Sequence, residues 1–316
     1  MTSLSRIDTA RWLQSRDRFL ILTHKKPDGD TLGSACALCL GLRQLGKRAF
    51  LLENGEVTEK YAHLHYFLTQ KAADAADTLV CVDVAAPEML QNEALDLQDR
   101  IALRIDHHKS ATDFTPNALV DPSAAACAEL IAEVLQHMGV TLDVPIANSL
   151  YTGLSTDTGC FRFANVTERT FQAAAKCMAA GADAFAINQA LFMTNSLAKL
   201  RLQGWMVENA LFLQEGRIAI VALPKKVEED LGVREDDMEN LTGFPRSIAG
   251  VKMAATLREN PDGTTKLSVR AVPGNDAAAV CARFGGGGHT GAAGATMKMP
   301  LEKAVEALVA VLPEVR

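Results

Sequence analysis

Through the first half of the chain, short apolar runs alternate with longer stretches whose apolar positions recur every three or four residues. FLILT (19–23), AFLL (49–52), TLVCVD (78–83) and IALRID (101–106) read as buried strands, apolar on both faces. Between the first two lies LGSACALCLGLRQLG, which has helical spacing and Gly46 as its stop. Such alternation predicts βα units, and so a parallel sheet with right-handed crossovers. From Ser123 the pattern turns helical. AACAELIAEVLQHMG ends at Gly139, and IANSLYTGLSTDTG holds a helix and a loop. A third helical segment starts at Val166, with Thr167 as N-cap and Arg169 and Thr170 in its first turn, and runs to Gly181.

Residues 188–212 carry no strand signal and read as one linker helix. Beyond them RIAIVAL is a strand, and VKMAATLREN and TKLSVRAV flank PDG as a hairpin. DAAAVCARFG is a helix, a glycine run follows, and a last helix starts at Leu301. The expected organisation is α/β. A parallel-sheet domain with flanking helices spans 1–187, a linker helix spans 188–212, and a smaller α+β domain spans 213–316.

Composition sharpens this picture. A chain of 316 residues is long for one core, and the 48% apolar content, with only 5% aromatic, suits helices packed on a buried sheet. The formal net charge of -6 argues against long duplex nucleic acid, which calls for a basic face. It does not exclude a small anionic substrate. Seven cysteines in no framework spacing point to a reducing, cytoplasmic compartment. Cys36 and Cys39 form a C-x-x-C inside an apolar helical run and read as core packing. No apolar stretch approaches the roughly 20 residues that span a bilayer, and no signal peptide pattern is present.

Four clusters at element ends carry the candidate chemistry. They are His24, Asp28 and Asp30 in THKKPDGD; Asp83 at the end of TLVCVD; Asp106, His107 and His108 after IALRID; and Asp157 in STDTG. Alone, each acid reads equally as a turn residue or the N-cap of the next helix. Together they matter more, because ligands in open α/β sheets bind outside the carboxyl ends of the strands. Four carboxylates drawn to one crevice repel one another unless cations sit among them. Mixed imidazole and carboxylate donors suit Mn²⁺, Mg²⁺ or similar ions.

The order of these motifs resembles the DHH phosphoesterase superfamily. The resemblance rests on H-x-x-x-D-x-D at 24–30, Asp83, the Asp106-His107-His108 signature, Asp157 in TDTG-x-F-R, and Phe284 to His289 with AAG at 292–294. It covers nearly the whole chain. It implies a two-metal phosphoesterase, with Mn²⁺ as the expected pair of ions and Mg²⁺ or Co²⁺ as substitutes. His24, Asp28 and Asp83 would hold one ion. Asp30, Asp83, His107 and Asp157 would hold the other, with Asp83 bridging. Asp106 would fix the tautomer of an imidazole, and His108 would face the substrate phosphate. In the second domain the resemblance assigns Ser268, Arg270, Gly286, Gly287, Gly288 and His289 to the non-reacting end of the substrate. The glycines would let backbone N–H groups approach an anion. No Gly-Lys-Ser/Thr follows, so the run is not an ATP-type phosphate loop.

Within the superfamily, a DHH domain plus its partner domain resembles oligoribonucleases that also dephosphorylate 3′-phosphoadenosine 5′-phosphate. The implied partner is a small nucleotide or short single-stranded RNA, with no membrane. A homodimer stays open. The alternatives are a phosphodiesterase for linear or cyclic dinucleotides, and a nucleotide-binding protein without turnover. Ala271 and Gly291 stand where relatives often carry polar or larger residues, which bears on substrate choice more than on reaction class. His63 and His65 read as structural, and His137 as a favourable charge at a helix C-terminus.

Overall fold

The structure is a computed structural model and describes all residues except 62, 63, 65–67, 239, 240 and 316. His63 and His65 therefore lie outside the described residues. The chain forms two compact units, 1–194 and 195–316.

The first unit is built on a sheet in which every pairing is parallel. Its strands are β1 (Thr2–Ser3), β2 (Phe19–Leu22), β3 (Ala49–Leu52), β4 (Thr69–Gln70), β5 (Thr78–Val82), β6 (Ile101–Asp106) and β7 (Asn117–Val120). Their order is β1-β7-β6-β5-β2-β3-β4. Two cores explain why these strands are apolar throughout. Phe19 and Ile21 face one core, and Leu20 and Leu22 face the other. The first core also takes α1 (Arg6–Gln14), α2 (Gly29–Gln44), α3 (Cys127–His137), α4 (Val144–Asp157) and α5 (Glu168–Ala179). Each fully buried leucine there contributes about 1.5–3 kcal/mol. Cys36 and Cys39 are wholly buried among these apolar side chains.

The chain leaves β2 for β3 on one side and later returns to β5 on the other. The carboxyl ends of β2 and β5 are thus the point where strand order reverses, the usual crevice of an open α/β sheet. Small residues bring α2 and α4 together above it. A Cβ on Gly33 would collide with the Ser149 carbonyl, and one on Gly153 would lie 2.8 Å from Asp30 Oδ1. That close crossing sets Asp157, the last residue of α4, beside the start of α2.

A single helix over 188–212 does not form. Short α6 (Ala184–Asn188) runs into a π-helical turn at Gln189–Met193, and Thr194 is extended (φ -99°, ψ 123°). The Ser196 hydroxyl then accepts from Lys199 N and starts a separate helix, α7 (Leu197–Glu208). The polar run Thr194-Asn195-Ser196 is what breaks the helix, since such side chains compete with the helical ladder and favour a new N-cap. The division between units falls within it.

The second unit is a mixed sheet with helices. Its strands are β8 (Leu211–Leu213), β9 (Ile218–Leu223), β10 (Met253–Glu259), β11 (Thr265–Ala271), β12 (Gly287–His289) and β13 (Ala292–Met297), in the order β12-β13-β11-β10-β9-β8. Among the described residues, only the β9–β10 pairing is parallel. Leu267, Val269 and Ala271 of β11 pack in one core with α9 (Ala277–Ala282) and α10 (Leu301–Val311), while α7 packs on Val221 and Leu223. Short α8 (Lys225–Leu231) ends on Gly232 in the left-handed region. The glycine run is not a free loop, because Gly287–His289 forms an edge strand on β13. A side chain on Gly286 would collide with the Gly294 carbonyl, so this glycine serves close strand packing. Among the described residues, no helix is long and apolar enough to cross a membrane.

Candidate metal centre

The side chains at 24, 28, 30, 83, 106–108 and 157 converge at the strand-reversal point. Asp28 follows β2 and caps α2, accepting from Asp30 N (3.0 Å) and Thr31 N (3.1 Å) through Oδ1. The helix-cap reading of this acid is therefore true. The same oxygen also lies 3.6 Å from His24 Nε2. Asp83 directly follows β5 and lies in the left-handed region (φ 59°), an uncommon and costly conformation for a residue with a side chain. The turn sends its carboxylate inward, leaving it 2% exposed. Asp83 Oδ2 lies 3.6 Å from His24 Nε2, and Oδ1 lies 3.5 Å from His107 Nε2. His107 Nε2 is also 3.4 Å from Asp157 Oδ2 and 3.7 Å from Asp30 Oδ2.

The imidazoles are oriented by backbone oxygens. His24 Nδ1 donates to the Lys25 carbonyl (2.8 Å), and His107 Nδ1 donates to that of Ala124 (3.3 Å). A carbonyl only accepts, so both rings keep their Nδ1 proton and turn Nε2 to the acids. His108 differs: its Nδ1 donates to Asp106 Oδ1 at 2.8 Å. Asp106 also accepts from the backbone N–H groups of His107 and His108. Asp30 is wholly buried, and its oxygens accept from the N–H groups of Cys127 (2.6 Å) and Ala128 (2.9 Å) at the start of α3. Ala126 offers that helix no side-chain cap, so the cap comes from Asp30, 97 residues earlier.

The electrostatics show what the cluster lacks. Burial raises the Asp30 carboxyl, the charge of Asp83 adds to it against His107, and the group reaches about 7. Burial, then Asp30 and Asp83, lift Asp157 well above the carboxylate range. For His24, burial works against charge, but Asp28 and Asp83 prevail and raise it to about 11. The acids thus demand positive charge here. Asp83 Oδ1 and Asp106 Oδ2 are buried with no hydrogen-bond donor. Ligands about 2.1 Å from one ion stand roughly 3–3.5 Å apart, close to the 3.4–3.7 Å separations around His107. Two donor groups fit an ion in this way, His24–Asp28–Asp83 and Asp30–His107–Asp157, and His108 also stands with Asp83 and His107. The donor set suits divalent cations of mixed N and O preference.

The TDTG-x-F-R motif marks the stretch after Asp157, but not the backbone it adopts. Gly159, Cys160 and Phe161 are consecutively left-handed (φ 55°, 60° and 60°), which costs about 1–2 kcal/mol for each residue with a side chain. The turn is held by Cys160 N donating to Ser155 O, by Arg162 Nε donating to Gly159 O, and by Phe161 between Tyr151 and Phe171, each ring 5.7 Å away. Asn165 Nδ2 donates to the Asp157 carbonyl at 3.1 Å and to that of Ala125 at 2.9 Å. Residue types alone do not signal this turn, apart from Gly159.

In the second unit, Ser268 and Arg270 share the face of β11 opposite Leu267 and Val269. Ser268 is buried. Arg270 donates from Nη1 to the Val269 carbonyl and forms no ion pair with a described residue. Burial lowers its pKa. Gly287, Gly288 and His289 are exposed. The structure thus brings the eight residues of the first unit together; in the second it sets Ser268 and Arg270 on β11 and Gly287–His289 on β12, with β13 between the two strands and Gly286 just before β12.

The model of the DHH family N-terminal domain matches residues 18–154, and that of the DHHA1 domain matches 216–315. A bifunctional oligoribonuclease and PAP phosphatase of Thermus thermophilus is 31% identical, over 93% of this chain and 89% of that protein. A cyclic-di-AMP phosphodiesterase of Geobacillus thermodenitrificans is 26% identical, over 86% of this chain but 44% of that longer protein. The crystal structure of an exopolyphosphatase-related protein from Bacteroides fragilis superposes with a TM-score of 0.85 at 25% identity, covering 96% of this chain and 94% of that one. With both domain models matched and the acids and histidines of the motifs gathered at one crevice, this chain belongs to the DHH family of phosphoesterases.

Proposed function

We propose that this protein hydrolyses short oligoribonucleotides and 3′-phosphoadenosine 5′-phosphate with a pair of divalent ions, Mn²⁺ by preference, in the cytosol. The observation that carries the reading is Asp83, whose two oxygens divide between His24 and His107. His24, Asp28 and Asp83 would hold one ion, and Asp30, Asp83, His107 and Asp157 the other. Bound there, the ions would lower the pKa of a water and offset charge on the phosphoryl oxygens.

The remaining groups complete the chemistry. Asp106 holds the Nδ1–H of His108 and leaves Nε2 to meet the phosphate. Burial opposes charge on His108, but Asp106 and Asp83 outweigh it and raise the ring to about 9. In its protonated form His108 would bind a phosphoryl oxygen and pass a proton to the leaving oxygen. Arg270, with no anionic partner among the described residues, binds the rest of the nucleotide together with Ser268, the backbone of Gly287 and Gly288, and His289, whereas the N–H of Gly286 is taken by the Cys281 carbonyl. The name of the Thermus thermophilus relative supports the substrate class.

The test uses purified protein with Mn²⁺ and four substrates: 3′-phosphoadenosine 5′-phosphate, RNAs of two to five nucleotides, cyclic-di-AMP and pyrophosphate. Turnover of the first two is expected, with kcat/KM reduced ~10³-fold or more in Asp83→Ala. Turnover of cyclic-di-AMP alone would shift the substrate to dinucleotides. Pyrophosphate alone would overturn the role given to the second unit.

A further inference from the structure

We infer that Phe163 is a stacking platform for the nucleobase next to the scissile phosphate. The inference rests on the proposed phosphoesterase reading and adds to it a way of selecting substrates that carry a base. Phe163 is 53% exposed. Its ring lies flat enough on Gly159 that any side chain there would collide with the ring carbons Cζ and Cε1. One face of the ring is thus closed by backbone, while the residue as a whole stays open to solvent.

Its surroundings fix where it stands. Phe163 N donates to Thr158 O at 3.1 Å, so the residue is tied to the one directly after Asp157. Asn165, two residues further on, donates to the carbonyl of Asp157 itself. The left-handed run at 159–161 is held by the Phe161 ring between Tyr151 and Phe171 and by the Arg162–Gly159 hydrogen bond. Strain of this kind persists only where packing over-determines it, and it clusters at functional sites. Here it holds an exposed aromatic ring against Gly159, two residues after the candidate metal ligand Asp157. Bases splayed from single strands stack on such rings, tolerant of sequence because every base has a π-face. The occupant that fits is therefore a nucleobase, and the substrate class is short single-stranded nucleotide rather than inorganic phosphate.

The experiment compares unaltered enzyme with Phe163→Ala, Phe163→Leu and Phe163→Tyr, all with Mn²⁺. Each acts on an RNA dinucleotide and on its counterpart with an abasic ribose next to the scissile phosphate. The expected result is a loss of about tenfold in kcat/KM for the Ala and Leu variants on the dinucleotide, mostly through KM, with Tyr restoring it. The preference for the dinucleotide over the abasic counterpart should shrink by a similar factor. Equal losses on both substrates would make Phe163 a brace for the turn and overturn the inference alone. So would no loss on either. No turnover of the dinucleotide by the unaltered enzyme would overturn the phosphoesterase reading for short RNA, and the stacking role with it.

Discussion

Two groups of acids in the first unit are stabilised in opposite ways. Asp121, Glu129 and Glu133 share two arginines: Arg6 pairs with Asp121 and Glu133, and Arg169 with all three. Asp28, Asp30, Asp83, Asp106 and Asp157 share three imidazoles and pair with no lysine or arginine among the described residues. The contrast appears in their acidities. Partial burial works to raise Asp121, but Ser123, Arg6 and Arg169 hold it below the usual carboxylate range, whereas Asp30 is pushed up to about 7. The same residue type responds to whether its cations are covalently part of the chain or must be supplied. The first group is finished by folding, and the second is completed by ligands.

The largest effect that would break this contrast is the response to chelation. Removing divalent ions should abolish phosphoesterase activity, and returning Mn²⁺ should restore it. A chelator-resistant activity would mean the second group needs nothing from outside. Next in size is thermal stability. Mn²⁺ at 100 times its dissociation constant should stabilise the fold by about 2.7 kcal/mol, raising Tm by roughly 5–10 °C. Asp83→Asn should erase most of that rise in a calorimetric scan. Smaller still, Arg169→Met should cost about 1–2 kcal/mol, because the arginine is partly exposed and Arg6 remains. The Mn²⁺-induced rise in Tm should survive that change; its disappearance would show that the two groups are one network. The smallest effect is in acid. Asp121 is harder to protonate folded than unfolded, so its contribution is complete above about pH 4 and fades as pH falls through its lowered folded value. Asp121→Asn should flatten that limb of the curve of Tm against pH.

How much of this was readable beforehand follows the physics. Strands such as Phe19–Leu22 announce themselves because both faces are buried, and the motif acids of the first three clusters because they sit where those strands stop, whereas Asp157 ends α4. The edge strand at Gly287–His289 did not, since glycines carry no pattern and their pairing with β13 is a backbone matter. The break at 194–196 lies in a polar run, Thr194-Asn195-Ser196, whose side chains compete with the helical ladder, and Ser196 is an ordinary N-cap, so the signal was there but brief. The turn at 159–161 is set by packing around Phe161, which no local spacing encodes. Ala126 left one clue unused: a helix that starts without a capping side chain receives its cap from elsewhere in the chain.

That cap is Asp30, and it constrains what the lineage can discard. A descendant that no longer needed catalysis would be free to lose His108 at little cost to folding. It would not be free to lose Asp30, because α3 would open with bare N–H groups in a dry interior. Selection for a folded protein alone would preserve this aspartate. Its presence in a distant homologue is therefore weak testimony that the homologue still cuts phosphate bonds, and the histidine is the better witness.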